Sequence, residues 1–174
     1  MFSDPEKNVA KLFLRDGMKV ADFGAGTGAY AVAAGKRVGE TGRVYAVDVQ
    51  KDLLGNVQTA ARDAGLDNVE VLWGDVEEPH GSKLADESVD AVILSNILFQ
   101  VAEKKGVVRE AKRVLKPGGK MLVVDWSDSF GGLGPHMDDV VSSDAAKEIL
   151  RAEGFSFESE FDAGDHHYGI IVKK

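Results

Sequence analysis

The chain has no cysteine among its 174 residues, so it has neither a disulfide framework nor a thiolate metal site. Proline is scarce, at four residues, and no apolar run approaches the ~18 residues of a membrane span. The start, Met1-Phe2-Ser3-Asp4-Pro5-Glu6-Lys7, lacks the basic head and apolar core of a secretory leader, and a cytoplasmic location is expected. Positive charge is also short: 21 Lys and Arg against 29 Asp and Glu leave a net charge of −8. A nucleic-acid enzyme needs a basic stripe to neutralise phosphates. The basic residues Lys104, Lys105, Arg109, Lys112, Arg113 and Lys116 fall mostly on one predicted helix and are interrupted by acids, which reads as a solvated face. Neither nucleic acid nor a membrane is an expected partner, and oligomeric state stays open.

Glycine, by contrast, is abundant, and its placement is the informative feature. Asp22-Phe23-Gly24-Ala25-Gly26-Thr27-Gly28 follows a short apolar run and precedes a stretch of small helix formers, Ala29 to Val38. That layout predicts strand, glycine turn, helix. Gly24 permits the tight turn and Gly26 lets the main chain approach a ligand closely. The helix that follows offers unpaired N–H groups and the positive end of its dipole. A lone glycine pattern of this kind is weak evidence, since such turns also end ordinary strands. Here a second strand, Val44 to Asp48, ends 20 residues after Gly28 in an acid suited to ribose hydroxyls.

Strands alternate with helices from residue 20 to 126, which predicts a parallel sheet covered on both faces within a single domain, residues 1–174. Asp4-Pro5 opens a short helix to about Leu14. Helices are expected over 27–38, 51–64 and about 102–115, and strands at 69–73, 91–94 and 120–126. Ser127 to Val141 reads as a Gly-, Ser- and Asp-rich loop. A helix capped by Ser142 or Ser143 ends at Gly154, a strand covers Phe155 to Phe161, and His167 to Val172 forms the last strand. Two strands joined by the short turn Ala163-Gly164-Asp165 must run antiparallel.

Two cofactors fit the glycine pattern. Read as Gly24-x-Gly26-x-x-Ala29 it suits a nicotinamide dinucleotide. Three features favour S-adenosylmethionine instead. Asp22 stands where a carboxylate can face an ammonium group, which the dinucleotide lacks. Gly74-Asp75-Val76 closes the third strand, with Asp75 able to accept from an adenine amine. Leu115-Lys116-Pro117-Gly118-Gly119 leads into an apolar strand, Lys120 to Trp126. With these motifs in order, the chain resembles the class I S-adenosylmethionine-dependent methyltransferases. The run Asp90 to Asn96 and Leu115 to Gly119 are most similar to the ubiquinone/menaquinone C-methyltransferase and small-molecule branch.

The resemblance implies a doubly wound α/β fold with a mostly parallel seven-stranded sheet, order 3-2-1-4-5-7-6, and an antiparallel last strand. It also implies roles. Asp22 and the Gly24, Ala25, Gly26 and Gly28 turn would hold the methionine part and Asp48 the ribose hydroxyls, with Val49 also in the cofactor site. Gly74, Asp75 and Val76 would hold the adenine, with Ser95 near the sulfonium. The expected acceptor is a small molecule. The expected alternatives are a protein acceptor, a non-catalytic cofactor-binding module and, less so, an NAD-dependent oxidoreductase. Without cysteine, arsenite methylation through thiol ligation is excluded.

In an open α/β sheet the ligand lies beyond the carboxyl ends of the parallel strands, and an antiparallel last strand starts at that same edge. His166, His167 and Tyr168 therefore begin at the rim. Methyl transfer needs a base only if the acceptor must lose a proton. His167, His166 and His136 lead the candidates for that base, with Tyr168 and Asp125 also considered, and adjacent strand residues point to opposite faces, so at most one of the histidine pair is expected to face the site. Trp126, Phe130 and Phe99 are candidates for an aromatic wall. His136, Asp138 and the histidine pair match no metal spacing, and no metal is expected.

Overall fold

A computed structural model describes residues 3–174. Its centre is a seven-stranded sheet in the order β3-β2-β1-β4-β5-β7-β6. The strands are β1 (Lys19–Phe23), β2 (Arg43–Asp48), β3 (Val69–Trp73), β4 (Val89–Ser95), β5 (Leu115–Trp126), β6 (Ser156–Gly164) and β7 (His167–Lys173). β1 to β5 pair in parallel, whereas β7 runs antiparallel to both β5 and β6. The doubly wound order and the reversed last strand agree with the expectation.

Side-chain alternation divides the sheet into two cores. On one face Val20, Val44, Ala46, Ile93, Leu122, Val124 and Ile171 meet α1 (Pro5–Ala10), α2 (Ala29–Val38) and Val57 of α3 (Lys51–Asp63). On the other, Ala21, Phe23, Val92, Leu94, Met121, Val123 and Ile170 meet α4 (Lys104–Val114) and α5 (Ser143–Ala152). Alanines at 31, 33 and 34 let α2 sit close to the strands. Phe23, Leu94 and Leu122 are fully buried, and each such side chain stabilises the fold by ~1.5–3 kcal/mol.

Several element bounds differ from the sequence expectation, each for a local reason. α1 stops at Ala10 rather than near Leu14, because Phe13 adopts a left-handed φ of 52°. β5 starts at Leu115 rather than Lys120: Leu115 pairs with Val89, and Gly118 and Gly119 exchange hydrogen bonds with Lys174, which draws the glycine segment into the ladder. A 3₁₀ turn, Met137–Asp139, interrupts the Ser127–Val141 loop. The β3–β4 connection, residues 74–88, carries no helix, so the strand–helix alternation breaks once. Buried Glu110 of α4 organises that connection, accepting the His80 N–H at 3.0 Å and the Ser82 N–H at 3.1 Å while pairing with Arg113 at 2.7 Å.

Candidate active site

The carboxyl edge of the sheet collects the polar residues. Tracking the alternation outward from the α2-side core, Asp48 on β2, Asp22 on β1, Ser95 on β4, Trp126 on β5 and His167 on β7 share one face. Asp125 and Tyr168 project to the other, where Tyr168 donates its hydroxyl to the Val141 carbonyl at 2.9 Å. His167 is thus on the Asp22 face, whereas His166 precedes β7 in the turn with a left-handed φ of 63°, where strand alternation does not reach it.

A cleft of about 220 Å³ lies over the ends of β1 to β4. Of the residues expected to bind cofactor, it is lined by Gly24, Gly26, Asp48, Val49, Gly74, Asp75 and Val76. Gly24 donates to the Val47 carbonyl at 2.8 Å, and a Cβ on it would come to 2.8 Å of Ile97 Cδ1. Gly28 caps α2 with a φ of 84°, and a Cβ there would press on the Val57 backbone at 3.0 Å. Gly26 differs: the nearest atom to an added Cβ is 3.8 Å away, so its bareness faces the cleft rather than the protein. Ala25 and Gly28 shape the turn from behind, and half-buried Ser95 stands beside the cleft residues Asn96 and Ile97.

Asp48 is 7% exposed and doubly held: Oδ2 accepts the Gly26 N–H at 3.0 Å and Oδ1 the Gln50 N–H at 2.9 Å. Asp75 Oδ1 accepts the Glu77 N–H at 3.0 Å, an Asx turn that fixes the adjoining loop. Asp22 is 1% exposed, and neither of its oxygens has a partner at hydrogen-bonding geometry. Burial, then repulsion from Asp48, pushes its carboxyl up to about 7, against a smaller opposing pull from the Ala31 N–H. Asp125 is raised to about 6, also by burial first, although it accepts the Trp126 and Leu98 N–H groups, both at 2.9 Å. The Leu98 bond ties β5 to the turn after β4 that walls the cleft.

The sequence reading passed over Gln50, Leu53, Glu77, Gln100 and Val101, which also line the cleft. Asn96, directly after β4, lines the cleft as well. It has a left-handed φ of 54° and a buried Oδ1 without a partner. Its signal in the sequence is slight, an Asn directly after a parallel strand.

The histidines lie away from this cleft. His167 is 4% exposed, with Nδ1 2.8 Å from the Asp165 carbonyl and its ring 4.3 Å from that of Trp126. His166 has a φ of 63°, a 2.7 Å bond from Nδ1 to Asp128, and a stacked contact with Phe130 at 4.1 Å. Both border an open cleft of about 530 Å³ that includes Ser127 and Asp162. His136 is exposed at the head of the 3₁₀ turn, not beside that pair in this cleft. Phe99 is half-buried, and Gly134 of the loop packs on Trp126. Among the described residues, no cluster of three or more His, Cys, Asp or Glu is placed to hold a metal.

Asp48 and a bare glycine turn at a helix start in the cleft, its apolar walls, and the unpaired Asp22 carboxyl buried at the end of β1 outside the cleft lining suit a ligand with an ammonium, vicinal hydroxyls and a flat base. S-adenosylmethionine has all three.

Comparison with known proteins supports that fit. A methyltransferase domain family model matches residues 14–154. The ubiquinone/menaquinone biosynthesis C-methyltransferase UbiE of Laribacter hongkongensis is 36% identical over 125 residues, covering 72% of this chain and 50% of that protein. The chain thus spans about half the length of that relative. A solved S-adenosylmethionine-dependent methyltransferase of Aquifex aeolicus superposes with a TM-score of 0.88 at 31% identity, covering 99% of this chain and 90% of that one. The structure of the [4+2]-cyclase SpnF, 19% identical with a TM-score of 0.82 and covering 98% of this chain and 79% of its own, shares the fold alone. On the family match and the Aquifex structure together, the chain belongs to the class I S-adenosylmethionine-dependent methyltransferases.

Proposed function

We propose that this chain transfers the methyl group of S-adenosylmethionine to a small molecule, with the cofactor in the cleft over β1 to β4. Asp22 carries the reading. A buried carboxyl with two unmatched oxygens, held near neutrality by burial and by Asp48, is costly unless a cation joins it. S-adenosylmethionine brings an ammonium; a nicotinamide dinucleotide does not.

The remaining roles follow from placement. The Gly24–Gly28 turn and the N-terminal N–H groups of α2 receive the methionine carboxylate. Asp48 keeps lone pairs for the ribose hydroxyls beyond the two backbone donors it already serves. Val49, Gly74, Asp75 and Val76, with Ile97 opposite, enclose the adenine, and Ser95 flanks the sulfur. When bound, S-adenosylmethionine supplies an activated methyl carbon and a neutral leaving group. The protein's task is therefore to hold the acceptor close and in line, for which positioning can supply ~7–11 kcal/mol of the barrier. An acidic chain and relatives named for quinone C-methylation both support a small acceptor over a nucleic acid.

Isothermal titration with S-adenosylhomocysteine and with NADH tests the cofactor. Binding of S-adenosylhomocysteine alone is expected; binding of NADH alone overturns the reading.

A further inference from the structure

Asp125 lies near the end of β5 with no exposed surface, outside the lining of the cleft. A carboxyl taken wholly out of water is costly, and an apolar side chain of similar size would close that part of the core without the penalty. Its partners account for it. Oδ1 accepts the Trp126 N–H of its own strand, and Oδ2 accepts the Leu98 N–H from the turn after β4, both at 2.9 Å. The Phe99 and Ile97 N–H groups pull on the same carboxyl. Three consecutive amides of one turn therefore share a single side chain from the neighbouring strand.

Two bonds moor that turn to β5. One is from Leu98 to Asp125, and the other is from the Asn96 N–H to the Val124 carbonyl at 2.8 Å. Within the turn, the Gln100 and Val101 N–H groups reach back to the Ile97 carbonyl at 3.0 and 3.2 Å. Gln100 Nε2 donates to the Asn96 carbonyl at 2.6 Å, and Lys104 Nζ to the Val101 carbonyl at 2.9 Å. Asn96, Ile97, Gln100 and Val101 all line the cofactor cleft. Ile97 also packs on the glycine turn: a Cβ built on Gly24 would come to 2.8 Å of its Cδ1. Any shift of the 96–101 turn thus changes the wall of the cleft and its contact with the glycine turn together.

We infer that Asp125 is a positioning residue for the cofactor, holding the 96–101 turn against the Gly24–Gly28 turn so that the cleft has its binding shape before the ligand arrives. This rests on the cofactor reading above and deepens it. The ionised carboxyl accepts most strongly from amides, whereas in the protonated form one oxygen becomes a donor and a bond to Leu98 or Trp126 weakens. Burial raises the carboxyl to about 6 against the pull of its N–H partners, so both forms are reached under mild conditions. Tyr168 stands opposite Asp125 in the β5–β7 ladder. Its hydroxyl is given to the Val141 carbonyl and burial pushes it well up, so it stays neutral there. His167, next along β7, belongs to the other face of the sheet, and Lys104 is engaged at the far end of the turn. S-adenosylhomocysteine should therefore favour the ionised form, and by linkage its binding should lower the midpoint at which Asp125 titrates.

The test follows the Leu98 amide resonance of the ¹⁵N-labelled chain through a pH titration, with and without S-adenosylhomocysteine. In the free protein that amide should titrate with a midpoint at about 6. Saturating ligand should lower the midpoint by about one pH unit, the mark of a tenfold preference for the ionised form. Asp125→Asn keeps an oxygen for the Leu98 N–H but cannot ionise. It should erase the titration and hold S-adenosylhomocysteine affinity within about threefold, a tolerance well inside one hydrogen bond to a charged group. Asp125→Leu offers no acceptor, so it should lose about tenfold in affinity and speed hydrogen exchange at Leu98 while the β5–β7 amides stay protected. A midpoint that the ligand leaves unmoved, a titration that persists in Asp125→Asn, or full affinity in folded Asp125→Leu overturns the inference. The midpoint is read on the wild-type chain, so it judges Asp125 even if the leucine variant fails to fold. Absence of S-adenosylhomocysteine binding by the wild-type chain would instead overturn the cofactor reading beneath it.

Discussion

The Gly26 N–H donates to Asp48 Oδ2 across 3.0 Å, so the turn after β1 and the end of β2 act as one unit. The second Asp48 oxygen holds the Gln50 N–H. One carboxylate thereby sets two loops of the cleft and faces the ligand as well. Asp48→Ala should weaken S-adenosylhomocysteine binding at least tenfold by calorimetry, because each hydrogen bond to a charged group contributes ~1.5–3 kcal/mol. Unchanged affinity in that variant would remove Asp48 from the ribose site.

The glycines of the turn should separate by what surrounds them. Gly28→Ala meets the Val57 backbone at 3.0 Å and a φ of 84°, so it should destabilise the fold by several kcal/mol in urea unfolding. Gly26→Ala meets nothing closer than 3.8 Å, and its left-handed φ of 52° costs only ~1–2 kcal/mol. That variant should fold and yet bind S-adenosylhomocysteine more weakly, because the new methyl group occupies ligand space. Equal affinity in folded Gly26→Ala would show that the ligand does not approach there.

Asp22 links the site to stability. Its folded carboxyl sits at about 7, above the ordinary 3.8, so the folded state holds a proton that the unfolded chain has released. Stability from this group is therefore present below pH 4 and lost as pH rises toward 7. The displacement corresponds to ~4 kcal/mol at pH 8 as an upper figure. Asp22→Asn should raise the melting temperature of the ligand-free protein at pH 8 and leave it nearly unchanged at pH 4. The same variant should bind S-adenosylhomocysteine poorly, since its ammonium loses its counter-charge. If pH 8 stability does not rise, the carboxyl is not desolvated as described.

Local pattern carried most of this architecture. The short apolar runs at Val20-Ala21 and Ala91 to Leu94, and the glycine punctuation at Gly24 to Gly28, mark parallel strands and the turn between the first strand and its helix. Asp48 and Asp75 could be placed because strand ends converge on one edge. What the pattern hid was non-local. The helix-free course of residues 74–88 depends on Glu110, about thirty residues away and buried beneath it. Phe13 takes a left-handed conformation that its residue type does not announce, whereas Asn96 is of a type that adopts one readily. His167 takes its face from β7, but His166 lies in the turn before that strand, outside any alternation, and the fate of neither ring was legible. Asp165, Asp128 and Phe130 decide it through the turn and the loop.

The Glu110 latch should govern the adenine side of the cleft from outside it. Burial alone would raise its carboxyl, but Arg113, Ser82 and the Ser82 and His80 N–H groups overcome that and bring it down to about 2. A lowered carboxyl contributes stability that is complete above the ordinary 4.5 and is lost as pH falls toward 2. Glu110→Ala leaves Arg113 with Asp86 and the Leu84 carbonyl alone and strands the Ser82 hydroxyl and two backbone donors, and breaking a buried pair of this kind costs up to ~3–5 kcal/mol. The loop it releases carries Asp75, Val76 and Glu77, which line the cleft. The variant should therefore lose urea stability at pH 7 and also bind S-adenosylhomocysteine more weakly, although residue 110 is no part of the cleft. Hydrogen exchange at the His80 and Ser82 amides should accelerate in step. Protected amides alongside lost affinity would mean that Glu110 acts on the cleft by another route, and unchanged stability would show that the network is not coupled to the fold.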